Sequence, residues 1–196
     1  MKPGALLQLG WHSVIAPREV ARLLLSLRPS HEVLLLGFAL VVVLNALVFG
    51  AATLLSPSAA GTGLVMISPV IFLLTLSGAL GATVLALTWT GRALGGRARI
   101  EDIALLLIWM QALRLVVQVA MLVIVPLSTG LAALLVVAAS AAGVWILVHF
   151  LDEAHHFASP LRALLVLLLG VTGTALGLAL FLSLIGATTM GLNGYV

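Results

Sequence analysis

The chain reads as an all-α protein of the polytopic membrane class, five transmembrane helices behind one interfacial amphipathic helix. Three observations predict this. Of 196 residues, 63% are hydrophobic and 8% charged, against about 25% charged in a soluble domain. That is too little charge to cover a water-facing surface, so lipid must solvate most of the chain. Five apolar runs each reach the roughly 20 helical residues needed to cross about 30 Å of hydrocarbon. Basic residues, finally, fall on alternate connections only. Period-2 barrel strands are excluded because the runs are apolar on all faces, and within lipid each run must satisfy its own backbone as a helix.

The elements follow in chain order. Residues 1–32 form an N-terminal segment. Met1 to Gly10 lacks a basic stretch followed by a long apolar core, and Pro17, Arg18 and Glu19 interrupt what comes next, so no signal peptide is read there. From Pro17 to about Leu27, Val20, Leu23, Leu24 and Leu27 recur at helical spacing, with Arg18, Arg22 and Ser26 opposite. Such a helix suits the headgroup plane, and Trp11 suits the same depth. The spans lie within a single domain, 33–186. The first is Val33–Leu55, closed by Ser56-Pro57-Ser58. The second is Pro69–Thr90, with Ser68 placed to cap it and Pro69 tolerated in its first turn. The third is Ile103–Val125, with Glu101 and Asp102 at its positive end and Pro126 stopping it. The fourth is Leu131–Leu151. The fifth is Arg162–Gly186, after Pro160, and residues 187–196 form a tail. Gly173 with Gly177, Ser77 with Gly81 and Ala139 with Gly143 are spaced for close helix contact.

Orientation follows from the basic residues. Lys2, Arg18, Arg22 and Arg28 precede span one, Arg92, Arg97 and Arg99 follow span two, and Arg162 follows span four. The remaining connections and the tail carry none, which places the N-terminus in the cytoplasm and the C-terminus across the membrane. Arg accounts for all the basic residues except Lys2, a bias that fits a GC-rich bacterial genome and hence the bacterial cytoplasmic (inner) membrane. The absence of cysteine excludes disulfides, thiolate metal sites and cysteine nucleophiles.

Few residues could carry chemistry. Gln111, Arg114 and Gln118 lie on one face of span three. Arg114, near its middle, costs about 2.5–3.5 kcal/mol to insert before any partner is found. It is either a contact for an ion, headgroup or substrate, or a guanidinium buried among helices and satisfied by carbonyls, glutamines or an acid. Asn45 in span one reads as an interhelical hydrogen-bonding group. At the end of span four, a continued helix would bring His149, Asp152 and His156 to one face, with Glu153 aligned to His149 and His155 close by. Imidazole and carboxylate there could ligate zinc. The spacing fits no H-E-x-x-H pattern or its inverse, and a polar helix exit that pairs with nearby arginines accounts for the residues without a metal. The loop Gly91–Arg99 is basic and glycine-rich but lacks the G-x-x-x-x-G-K-[ST] of a nucleotide cradle. Arg92, Arg97 and Arg99, with Arg18 and Arg22, are read as contacts for anionic headgroups. No cofactor, nucleotide or nucleic acid is expected. The expected partners are lipids and other membrane proteins.

The stretch from Gly91 to Pro160 resembles the bacterial branch of the Yip1-domain membrane proteins. The resemblance rests on Gly95-Gly96 followed by Glu101-Asp102, on Trp109-x-Gln111 and Gln118, on Trp145 to Phe157 with Glu153-Ala154-His155, and on Ser159. The Pro17-Arg18-Glu19 opening is similar as well. It implies a five-span architecture. Eukaryotic relatives belong to early secretory membranes and are associated with small GTPases and vesicle trafficking. Their Asp-Leu-Tyr-Gly-Pro type motif is absent here, so the resemblance carries no GTPase partner over.

The leading functional expectation is a non-enzymatic adaptor, assembly factor or membrane organiser acting through helix–helix contacts. A small transporter or permease component using Gln111, Arg114 and Gln118 as a polar path is the alternative. A metal-dependent membrane enzyme centred on His149 is third.

Overall fold

A computed structural model describes residues 3–55 and 69–192. The connection 56–68, with the Ser56-Pro57-Ser58 closure and the Ser68 cap, lies outside the described residues, as do Lys2 and the last four residues. All regular structure among the described residues is helical: α1 (Pro3–Ile15), α2 (Pro17–Ser26), α3 (His31–Leu55), α4 (Pro69–Ala93), α5 (Ile100–Leu127), α6 (Thr129–His155) and α7 (Pro160–Leu192). The last five are long and apolar enough to cross a membrane, and the protein is a multi-pass membrane bundle.

The span ends differ from expectation for local reasons. Pro126 lies inside α5 rather than stopping it. So near the helix end its missing N–H removes a single ladder bond, and Ser128 takes over within two residues. The Ser128 N–H donates to the Ile124 carbonyl at 2.9 Å, and its hydroxyl accepts from the Leu131 N–H at 3.3 Å. One extended serine therefore caps both helices, and Gly130 belongs to α6 rather than to a turn. At the other end α6 runs past Leu151 to His155. Helix α7 continues beyond Gly186, so residues 187–192 are helical rather than tail.

The spans close a ring in the order α3, α4, α7, α6, α5, with α4 also touching α5. The starts of α3, α5 and α7 and the ends of α4 and α6 share one end of the bundle. Among the described residues, every charged side chain except Arg114 belongs to this end or to α2 and the corner after it. The main core sits there as well: Leu87, Ile103, Leu106, Phe150, Leu151 and Val166 are almost fully buried.

Two elements before the spans complete that core. Helix α2 packs its Val20, Ala21 and Leu24 side against α5 and α6. Leu23 and Leu27, expected on the same face, are 50% and 63% exposed. The Val20–Leu24 edge of α2 is therefore spent on the protein, and the Leu23–Leu27 flank is left exposed. Helix α1 was not foreseen. Its 13 residues reach only about 20 Å at about 1.5 Å per residue, too short to span. It packs close to α5 at Gly10, where a β-carbon would lie 3.3 Å from Leu113 Cδ2. The buried Ser13 hydroxyl accepts from Trp109 Nε1 at 3.0 Å and donates to the Leu9 carbonyl.

The glycines of the expected notches make no close contact among the described residues. Among the described residues nothing lies within 4 Å of a β-carbon built on Gly81, Gly173 or Gly177, and Gly143 meets only Met110 Cε, at 4.0 Å. Close approach occurs at other glycines: Gly170, where α7 meets Leu87 of α4, and Gly91 and Gly96.

Candidate functional site

The acids at the end of α6 hold three elements together. Asp152, with a side chain only 4% exposed, accepts from Arg18 Nη2 at 2.8 Å on one oxygen. Its other oxygen accepts the Ser159 N–H at 2.8 Å, just before α7 begins. One carboxylate thus ties α2, α6 and the start of α7. Glu153 takes Arg22 Nε at 2.8 Å, one helical turn from the Arg18 pair. This hydrogen bond, followed by the charge attraction, raises the Arg22 pKa above its ordinary value. Arg18 and Arg22, expected to meet headgroups, are therefore engaged by the protein itself.

His155 is buried against the end of α4 and the loop after it. Its imidazole fills a slot where a β-carbon on Gly91 would lie 2.0 Å from Cε1 and one on Gly96 2.4 Å from Nδ1. The Leu87 carbonyl interacts with the ring, but neither ring nitrogen makes a full hydrogen bond. The loop is closed around the ring by Gly96 N–H to Gly91 carbonyl at 2.8 Å and Arg97 N–H to His155 carbonyl at 3.2 Å. Only Gly95, with φ +89°, needs glycine for its backbone. The glycine richness that suggested a phosphate cradle has a packing cause.

The possible metal ligands do not converge. His149 Nδ1 lies 2.8 Å from the Trp145 carbonyl of its own helix, and its ring packs on Trp145. His156 leaves the helix as a left-handed cap, φ 56°, and is exposed. It therefore cannot share a helical face with His149 and Asp152. Among the described residues no three His, Cys, Asp or Glu side chains group as a metal site would require. Asn45 also departs from expectation. Its Nδ2 donates to the Val41 carbonyl of its own helix at 2.7 Å, and its oxygen is buried without a donor. A short amide reaches the preceding turn more easily than a neighbouring helix.

In the loop, Arg92, Arg97 and Arg99 are exposed. Arg92 Nε donates to the Ala98 carbonyl at 3.0 Å, and Arg99 Nε lies 3.3 Å from Glu101. The Arg97 side chain makes no hydrogen bond or ion pair with the described residues, so it is the freest of the three to meet an anion.

The second feature is a cleft of about 1120 Å³ walled by α1, α3, α5 and α6. Gln111, Arg114 and Gln118 line it, among side chains such as Leu107, Met121, Val125 and Ile146. Arg114 is the only charged group in its wall, is exposed, and makes no hydrogen bond or ion pair among the described residues. The first contacts expected for it from Gln111 and Gln118 are not made. The oxygens of both amides are instead buried without a donor. Trp11 and Gly10 of α1 form the wall beside them, a contribution no periodicity could have indicated.

Residues 11–193 match the Yip1 domain. The chain belongs to the Yip1-domain family. The match runs from the last turn of α1 to beyond α7, so in this Yip1-domain protein the family region includes the α2 clasp and all of the cleft lining but Gly10. No curated protein and no solved structure matches the chain.

Proposed function

We propose that this Yip1-domain protein is non-enzymatic and works by holding another membrane component against its helices, as an adaptor, assembly factor or membrane organiser. The observation that carries this reading is the cleft, a large concave surface at the level of the spans with Val116 and Val136 exposed in its wall. Asp152, which could suggest catalysis, is engaged by Arg18 and Ser159, and the His155 ring is enclosed in its glycine slot. The cleft favours holding over transport of a polar solute. Its polar side chains beyond Arg114 and the two glutamines are few, and a hydrated solute entering it would lose water without replacement. By its one-sided basic residues, the end bearing the loop Gly91–Arg99 faces the cytoplasm of a bacterial inner membrane.

Photocrosslinking in intact membranes tests the reading. A photoreactive residue at Val116 or Val136 should capture a membrane component, while one at Leu168 or Leu169, exposed on α7, should capture far less. Equal capture from both faces would remove the cleft as the working surface.

A further inference from the structure

We infer that the cleft binds an anionic glycerophospholipid, with its phosphate on Arg114 and its acyl chains running toward Val125; this rests on the holding function just proposed. Three features of the cleft specify that occupant.

The first is size and polarity. A volume of about 1120 Å³ exceeds the roughly 300–1,000 Å³ of pockets that take drug-sized ligands. Its walls are overwhelmingly apolar, as acyl chains require. On α5 the lining runs from Leu107 to Val125, about 27 Å at about 1.5 Å per residue, close to the roughly 30 Å of the hydrocarbon layer.

The second is charge. Every other charged side chain among the described residues lies at the basic end of the bundle or in α2 and the corner after it, where acids are at hand. Arg114 has no acid partner among the described residues, lies away from that end, and its guanidinium is open to the cleft. An unpaired cation at this depth calls for an anion from outside the chain. An arginine side chain leans toward the start of its helix, so the phosphate would sit on the Trp11 side. From Arg114 to Val125 is eleven residues, about 16 Å, close to the depth of one leaflet's chains. The lipid would keep the orientation of the leaflet on the basic side, sunk beneath α1.

The third is the arrangement of donors. Gln111, Arg114 and Gln118 line about 10 Å of one helix face, and each can offer NH donors to a ligand there. A glycerophospholipid carries acceptors over such a length, phosphate oxygens first and ester carbonyls nearer the chains. A single carboxylate on a partner helix would offer two oxygens at one depth, and a fatty acid likewise.

The test uses the full-length protein in nanodiscs of phosphatidylcholine doped with phosphatidylglycerol carrying a photoreactive acyl chain. Labelling of α5 and α6 peptides lining the cleft is expected. It should exceed labelling by the matched phosphatidylcholine probe at least tenfold, fall at least tenfold in Arg114→Gln, and persist in Arg97→Gln. Ala139→Trp fills the cleft without touching the charge and should abolish labelling as well, so the outcome does not hang on the folding of one variant. Equal labelling by both probes, or unchanged labelling in Arg114→Gln, overturns the inference. If the lipid probe fails while the Val136 crosslinker captures a protein, the lipid assignment falls and the holding function stands. If neither is captured, both fall.

Discussion

At the scale of single residues, buried partners decide which polar groups are structural. His155 is 1% exposed and cannot move aside, so the space it occupies depends on the bare backbone of Gly91 and Gly96. Gly91→Ala should therefore cost about 1–3 kcal/mol, the usual range for overpacking, even though Ala is the better helix former. Gly173→Ala is the matched control. Nothing lies within 4 Å of the added methyl among the described residues, so helix propensity should leave it neutral or up to about 1 kcal/mol more stable. Unfolding of the two variants in one detergent checks the sign of each change. In the sequence Gly91 opens a glycine-rich loop and Gly173 is spaced for close helix contact, yet it is Gly91 that is crowded. Only the position of His155, some sixty residues away, separates them.

At the scale of elements, α2 shows what periodicity can and cannot report. The repeat of Val20, Leu23, Leu24 and Leu27 establishes an apolar face, but its width exceeds what the protein covers. The ends of α5 and α6 take the Val20–Leu24 edge, and the Arg18 and Arg22 pairs with Asp152 and Glu153 set the rotation of the helix about its axis. Leu24→Ala is thus expected to destabilise the fold by about 2–3 kcal/mol, toward the lower end for core leucines because α2 lies at the bundle edge. Leu23→Ala should stay within about 0.5 kcal/mol. Equal losses at the two positions, measured by thermal unfolding in detergent, would mean that α2 is rotated from the orientation described. Helix α1 escaped notice because it is too short to register as a span and has no clear polar face. Its place is decided by the Ser13–Trp109 hydrogen bond and the fit of Gly10 against Leu113.

At the scale of the whole molecule, charge is confined almost wholly to one end, and Arg114 is the exception that marks the cleft. Topology is the property most directly tied to that distribution. Reporters fused after Gly95 and Ser159 are expected on the cytoplasmic side, and reporters after Thr129 and Val196 on the other. A C-terminus on the same side as Gly95 would demand an even number of crossings and remove the five-span arrangement. The class of fold, the five spans and their alternation were legible in the chain because lipid imposes one rule on every segment: apolar, helical and about 20 residues long. That rule needs no knowledge of neighbours. Which glycines are contacts, which arginines are already paired, and where the helices leave room for another molecule are matters of how segments distant in sequence meet. The sequence by itself determined that Arg114 would lie within the membrane, since its own span carries it there. It also showed no acid at that level on any span; only the tertiary structure decided that the helices part there, α1, α3, α5 and α6 walling a cleft onto which the guanidinium opens.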